Sequence, residues 1–141
     1  MKALKQVCGL ATVLLITIAC NNSSVTTPSP ALFFPQQKEA KPDFMTALLV
    51  GELTLADGCL RLNDIDGNSF LLIWPQGFSL RNEKNIIQVV DDTGQFVAQV
   101  GDNLEVGGGE MPGEYISEYL SQPLPSGCSG PYWIVGNEIN R

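Results

Sequence analysis

Cys59-Leu-Arg-Leu-Asn-Asp-Ile-Asp-Gly-Asn-Ser-Phe-Leu-Leu-Ile-Trp-Pro75 carries two strand patterns on either side of one turn. In its first part Leu60 and Leu62 fall on one face and Arg61 on the other, because successive side chains of a strand point to opposite sides. Asp66-Gly67 supplies the residue types that a tight turn requires. Residues 69–74 then form a nearly continuous apolar run stopped by Pro75. Their length and Phe-Leu-Leu-Ile-Trp composition suit a strand buried on both sides.

Working outward, residues 46–55 are β-prone and end at Asp57-Gly58, a hairpin dipeptide. Residues 86–90 lead through Asp91-Asp92-Thr93-Gly94 into 95–100, where Phe96, Ala98 and Val100 alternate with Val97 and Gln99. That pattern predicts a second hairpin. Residues 104–106 continue the meander, and Gly107-Gly108-Gly109 is expected to end it. Ile116, Tyr119 and Leu120 have the i, i+3, i+4 spacing of one or two helical turns around 115–120. Residues 132–139 read as a closing strand. Six or seven short strands and one brief helix in this length predict an all-β fold, a small antiparallel barrel. An OB-like Greek-key barrel is the first choice, because closure removes strand edges and the size fits; an SH3-like barrel or small sandwich is the alternative.

The amino-terminal region has a different character. Lys2 and Lys5 precede an apolar run over 7–18, and Thr17-Ile18-Ala19 stands directly before Cys20. A run of roughly a dozen apolar residues is shorter than the ~20 needed to span a bilayer, and the arrangement is that of a secretory signal peptide. It resembles the lipobox of bacterial lipoproteins, with Thr17 standing where that family prefers Leu. The resemblance implies that 1–19 are removed, that Cys20 receives diacylglycerol, and that the new amino terminus is acylated, for example by palmitate. The implied location is extracytoplasmic and membrane-anchored, at the outer membrane or the outer face of the plasma membrane. Asn21 stands where an Asp would resemble an inner-membrane retention signal.

The expected organisation is therefore a signal peptide over 1–19, a lipidated Cys20 with a flexible tether over 20–45, and a barrel over 46–141. The tether is rich in Asn, Ser, Thr, Pro and Gln. Ala31-Leu32-Phe33-Phe34 interrupts it, as a segment that packs on the domain, dips into the membrane interface or docks a partner. Loss of Lys2 and Lys5 leaves six Lys and Arg against fifteen Asp and Glu, a net charge of −9. Such a surface disfavours nucleic acid and anionic lipid. With Cys8 removed and Cys20 lipidated, Cys59 to Cys128 is the only intrachain disulfide available, as an oxidising compartment favours; the alternative is two free thiols serving as redox or metal groups, against which stand the lack of a Cys-x-x-Cys spacing and of any His.

The chain contains no His, which excludes Ser-His-Asp and Cys-His catalysis and His-ligated zinc. Asp64-Ile65-Asp66-Gly67 and Asp91-Asp92-Thr93-Gly94 look like pieces of a calcium loop. Aligning Gly67 or Gly94 with the loop's sixth position places Leu62 and Ile73, or Val89 and Val100, at the first and twelfth. Apolar residues cannot serve there, so hairpin turns are the better reading, and neither metal nor cofactor is expected. Gly107-Gly108-Gly109-Glu110 lacks the Lys-Ser/Thr ending of a phosphate loop, which leaves a bulge or a close backbone crossing. Glu114 and Glu118, at i, i+4, are the candidate pair for a carboxylate-dependent hydrolase. Among the aromatics Trp74, Phe78, Tyr115, Tyr119, Tyr132 and Trp133, the strand-end residues Trp74, Tyr132 and Trp133 are the candidate ligand-binding platform.

Gly51-Glu-Leu-Thr-Leu, Asp57-Gly-Cys-Leu-Arg-Leu, Leu72-Ile-Trp-Pro, Gly107-Gly-Gly-Glu and Cys128-Ser-Gly-Pro-Tyr-Trp-Ile-Val-Gly together resemble a recurrent small extracytoplasmic bacterial domain of unknown function. That resemblance covers about residues 50–139 and assigns no site. The expected function is a non-enzymatic binding or accessory module, held at the envelope by its lipid and engaging a protein, peptide or glycan. The alternatives are the small hydrolase and a purely structural lipoprotein.

Overall fold

Five paired strands close a barrel, and alternate side chains along them fill it. The computed structural model describes residues 31–39 and 45–141, so the signal-peptide and Cys20 readings lie outside the described residues. The elements in chain order are β1 (Ala47–Ala56), β2 (Cys59–Asp64), β3 (Ser69–Ile73), β4 (Ser79–Glu83), β5 (Ile86–Val90), β6 (Phe96–Gln99), β7 (Asn103–Met111), α1 (Ile116–Tyr119) and β8 (Tyr132–Asn140). The ring order is β1-β2-β3-β8-β7, closed by pairing of β7 with β1. Four of the pairings are antiparallel, whereas β3 and β8 run parallel, with Leu71 opposite Tyr132 and Ile73 opposite Ile134. Parallel neighbours need a long crossover. Residues 74–131 provide it, and they hold everything outside the ring except the amino-terminal segment.

The ring is filled by Leu49 and Leu53 from β1, Leu60 and Leu62 from β2, Phe70 and Leu72 from β3, Leu104 and Val106 from β7, and Trp133 and Val135 from β8. Trp74 joins them just beyond β3. The opposite parity of β3, Leu71 and Ile73, is buried in a second cluster with Cys59, Met111, Ile116, Leu120, Cys128 and Ile134. Two apolar layers thus meet on β3, which is why its sequence is apolar without alternation. Cys59 and Cys128 are disulfide-bonded across this second layer, with Cα atoms 5.8 Å apart.

A three-stranded sheet, β4-β5-β6, lies against the barrel and adds Val89 and Ala98 to its core. β4 is a strand that the apolar pattern does not predict, because Ser79-Leu-Arg-Asn-Glu83 is polar and largely exposed. The signal was the turn: Lys84 and Asn85 both have positive φ, 51° and 66°, and join Glu83 to its partner Ile86. Two consecutive residues of that conformation give a turn whose twist suits a hairpin. A second correction concerns the glycines. β7 does not end at Gly107 but runs through all three to Met111, with an irregularity between Val106 and Gly108.

Of the expected tether only residues 31–39 and 45 are described, and 31–34 take the packing alternative. Within the described residues 31–39, the chain forms a strap bonded to the barrel. Phe33 N–H donates to Gly58 O at 2.8 Å, Trp74 N–H to Pro35 O at 2.9 Å, and Gln37 N–H to Trp74 O at 2.8 Å. Lys38 N–H then donates to Tyr119 O at 2.8 Å. Phe34 packs on the barrel core and Phe33 on the second layer, so Phe33 and Phe34 belong to the fold. Gln37 is buried, and its Nε2 donates to Ile73 O at 3.1 Å and to Val135 O at 2.6 Å. These two carbonyls lie at the end of the parallel β3–β8 seam. The Gln37 amide closes it where the strands' own pairing stops.

Candidate functional site

The structure brings together one set of sequence-predicted site residues and disperses the others. Cys59 and Cys128 are bonded, as above. Trp74 is fully buried, with Phe34 stacked on it at 5.5 Å and 22° and Phe78 at 6.2 Å and 29°. Strap and cap residues therefore occupy the ring faces that a ligand would need. Trp133 is buried inside the barrel, edge-on to Phe70 at 5.9 Å. Tyr132, of opposite parity, is half-buried against the second layer beside Gly130. The three residues do not make an exposed platform; their bulk is spent on packing.

Glu114 lies in the turn before α1, and only Glu118 is helical, so the expected carboxylate pair does not share a helix face. Glu118 instead borders a small cavity of about 180 Å³ with Lys38, Glu39 and Tyr119. Both calcium-like motifs are turns held by their own carboxylates. Asp64 accepts from Asn68 N–H and Asn68 Nδ2, each at 2.8 Å. Asp91 Oδ1 accepts from Thr93 Oγ1 at 2.7 Å and from the N–H groups of Thr93 and Gln95 at 2.9 Å. The Asn68 side chain, chiefly, holds the Asp64 carboxyl below its ordinary value, and the Thr93 hydroxyl does the same for Asp91. Hydrogen bonds to the charged form explain both shifts.

A groove of about 550 Å³ lies at the glycine run. Between the pairs Val106–Ile139 and Gly108–Val135, two steps along β7 match four along β8, so Gly136, Asn137 and Glu138 bow out opposite Gly107. Gly108 has φ 146°, and a Cβ there would strike the Ile134 carbonyl and lie 2.9 Å from Trp133 Nε1. Only glycine accommodates both the conformation and the indole. A Cβ on Gly136 would come within 3.3 Å of Gly107 O, so the two strands approach through bare backbone. Met45, Ala47 and Leu48 form the apolar wall and Glu138 the charged one. The irregularity and the close approach are the bulge or backbone crossing that the three glycines predict; the groove beside them is not written in that pattern.

These features define a small disulfide-stapled, OB-like barrel with a capping sheet and a backbone-floored groove. No protein-family model, curated protein or solved structure matches the chain.

Proposed function

We propose that this chain is a lipid-anchored protein of the cell envelope that acts, without catalysis, as a binding or accessory module for an envelope protein, peptide or glycan. The observation that carries the reading is the Cys59–Cys128 disulfide. It accounts for both cysteines of the barrel and is compatible with an extracytoplasmic location. It leaves Cys20, at the end of the signal-like segment, as the cysteine free to take the lipid.

The groove is the contact surface in this reading. The glycines let β7 and β8 approach closely at its floor, and along its walls Leu48 and Met45 offer apolar contact and Glu138 a carboxylate. Leu48 and Glu138 are both exposed, so they can be changed without touching the core. Capture of envelope components on the full-length anchored protein tests the proposal, with a Leu48→Glu, Glu138→Lys variant as control. Retention of a component that the variant weakens on the order of tenfold, about 1.4 kcal/mol, is the expected result. Equal retention by both forms, or none by either, removes the groove from the function.

A further inference from the structure

β1 is paired unevenly along its length. Its ladder with β7 runs from Ala47 to Glu52, but β2 reaches back only to Gly51, where it ends at Asp64. Among the described residues no strand pairs with 47–50 on the β2 side, so the barrel has an open edge there. Strand alternation decides which main-chain groups that edge carries. Leu53 N–H donates to Asp102 O and Leu53 O accepts from Gly101 N–H, each at 2.8 Å, so Leu53 faces β7. Successive residues turn their N–H and C=O to opposite neighbours, so Gly51, Leu49 and Ala47 also face β7, and Val50 and Leu48 face the open edge. Among the described residues neither makes a turn or loop bond on that side. The side chains around the edge are apolar and unusually bare: Ile65, where β2 turns away, is 98% exposed, Leu48 57% and Val50 50%. An unpaired edge flanked in this way is a template for a further strand.

We infer that the open edge at Leu48 and Val50 takes an extended basic segment of a partner protein, which adds as a strand beside β1. The segment's main chain bonds Leu48 and Val50, and its apolar side chains cover theirs and Ile65. Charge selects its class. Glu105 stands opposite Val50 on β7, Glu52 lies two positions along β1, and Asp66 follows Ile65, all of them exposed. The described cations are placed elsewhere. Arg61 is buried and donates to the Ser69 and Ser129 carbonyls, Arg81 bonds Gln88, and Arg141 lies over the Phe96 ring. Lys38 is on the strap and Lys84 in the turn between β4 and β5. A second copy of this chain would bring the same carboxylates to the edge, and like charges oppose that pairing. The groove lies on the β7–β8 side of β1 and shares only Leu48 with the edge, so the inference stands apart from the groove reading.

The test is amide hydrogen exchange, read by NMR on the full-length protein, with a short blocked peptide of alternating Lys and Val as the probe. Without peptide, Leu48 and Val50 are expected to exchange fast and Leu49 and Gly51 slowly. The peptide is expected to slow Leu48 and Val50 on the order of tenfold and to leave Leu49 and Gly51 unchanged. That alternation marks an added strand, which attraction between charges alone does not produce. A Glu-Val peptide is expected to have no effect. Val50→Pro removes the edge donor and spares the β7 ladder, and Val50→Lys keeps the backbone but repels the basic probe; both are expected to weaken the slowing at Leu48. Slow exchange of Leu48 and Val50 in the free protein overturns the open edge, and an unchanged pattern with the Lys-Val peptide overturns the docking. Equal slowing by the Glu-Val peptide, or undiminished slowing in Val50→Lys, overturns the basic class. Slowing that grows with protein concentration alone overturns the partner in favour of a second copy.

Discussion

The ring and the capping sheet are both antiparallel meanders for most of their length, yet they are closed in opposite ways. Each neighbour in β4-β5-β6 is joined by a short turn: Lys84-Asn85 in positive φ, and Asp91 gathering Thr93 and Gln95. The ring depends on links between distant residues. Leu71 pairs with Tyr132, Cys59 bonds to Cys128 across 69 positions, and Gln37 reaches Val135 across 98. Local chemistry specifies the cap, and long-range closure specifies the barrel. Entropy makes the second more vulnerable to single changes, because each distant link restrains a long loop.

The largest effect that separates the two regions is expected from the disulfide. A Cys59→Ala, Cys128→Ala variant should lose about 4 kcal/mol of unfolding free energy in urea, since the bond closes a loop of that length. Hydrogen exchange should show the loss first in β3 and β8 and last in β5; equal loss throughout would mean that ring and cap unfold as one unit. Gly108→Ala comes next, at about 2–4 kcal/mol, from the positive φ and the collision with Ile134 O. Its unfolding midpoint tests whether the glycine run is a structural requirement of the ring. Gln37→Ala should cost about 1–3 kcal/mol by leaving the Ile73 and Val135 carbonyls unpaired. Faster exchange confined to the β3–β8 seam would be the mark of the strap; an unchanged midpoint would demote it to a passive covering.

The smallest effect concerns acid and touches both regions alike. The folded carboxyls of Asp64 and Asp91 lie below their ordinary value of 3.8. Their contribution is therefore present above that value and is lost as pH falls through the lowered folded values. Thermal unfolding followed from about pH 5 downward should show this loss. Asp64→Asn and Asp91→Asn should each flatten part of the profile, one in the ring and one in the cap.

How far the sequence alone reaches follows the same division. The burial of β3 on both faces, the Asp64 and Asp91 turns, the short helix and the cysteine pair were all legible, because each is written in neighbouring residues or in the parity of a count. Phe33 and Phe34 were recognised as apolar, but nothing near them shows that Trp74 and Gly58 receive them. Trp74 therefore read as a strand-end aromatic free to stack on a ligand, when strap and cap cover its faces. β4 was lost because its polar side chains follow from being an exposed edge, which strand patterns based on apolar residues overlook. The groove escaped notice for another reason: its floor is made of residues without side chains, and its opposing wall comes from β8, thirty positions away.

The assignment of the cysteines is the claim on which the envelope reading stands, and one mass spectrum of the protein from the membrane fraction tests it. The predicted result is an amino-terminal peptide that begins at Cys20 and carries the mass of diacylglycerol and an acyl chain, beside a Cys59–Cys128 peptide pair released only by reduction. An unmodified Cys20 thiol, or Cys20 bonded to Cys59 or Cys128, would contradict it.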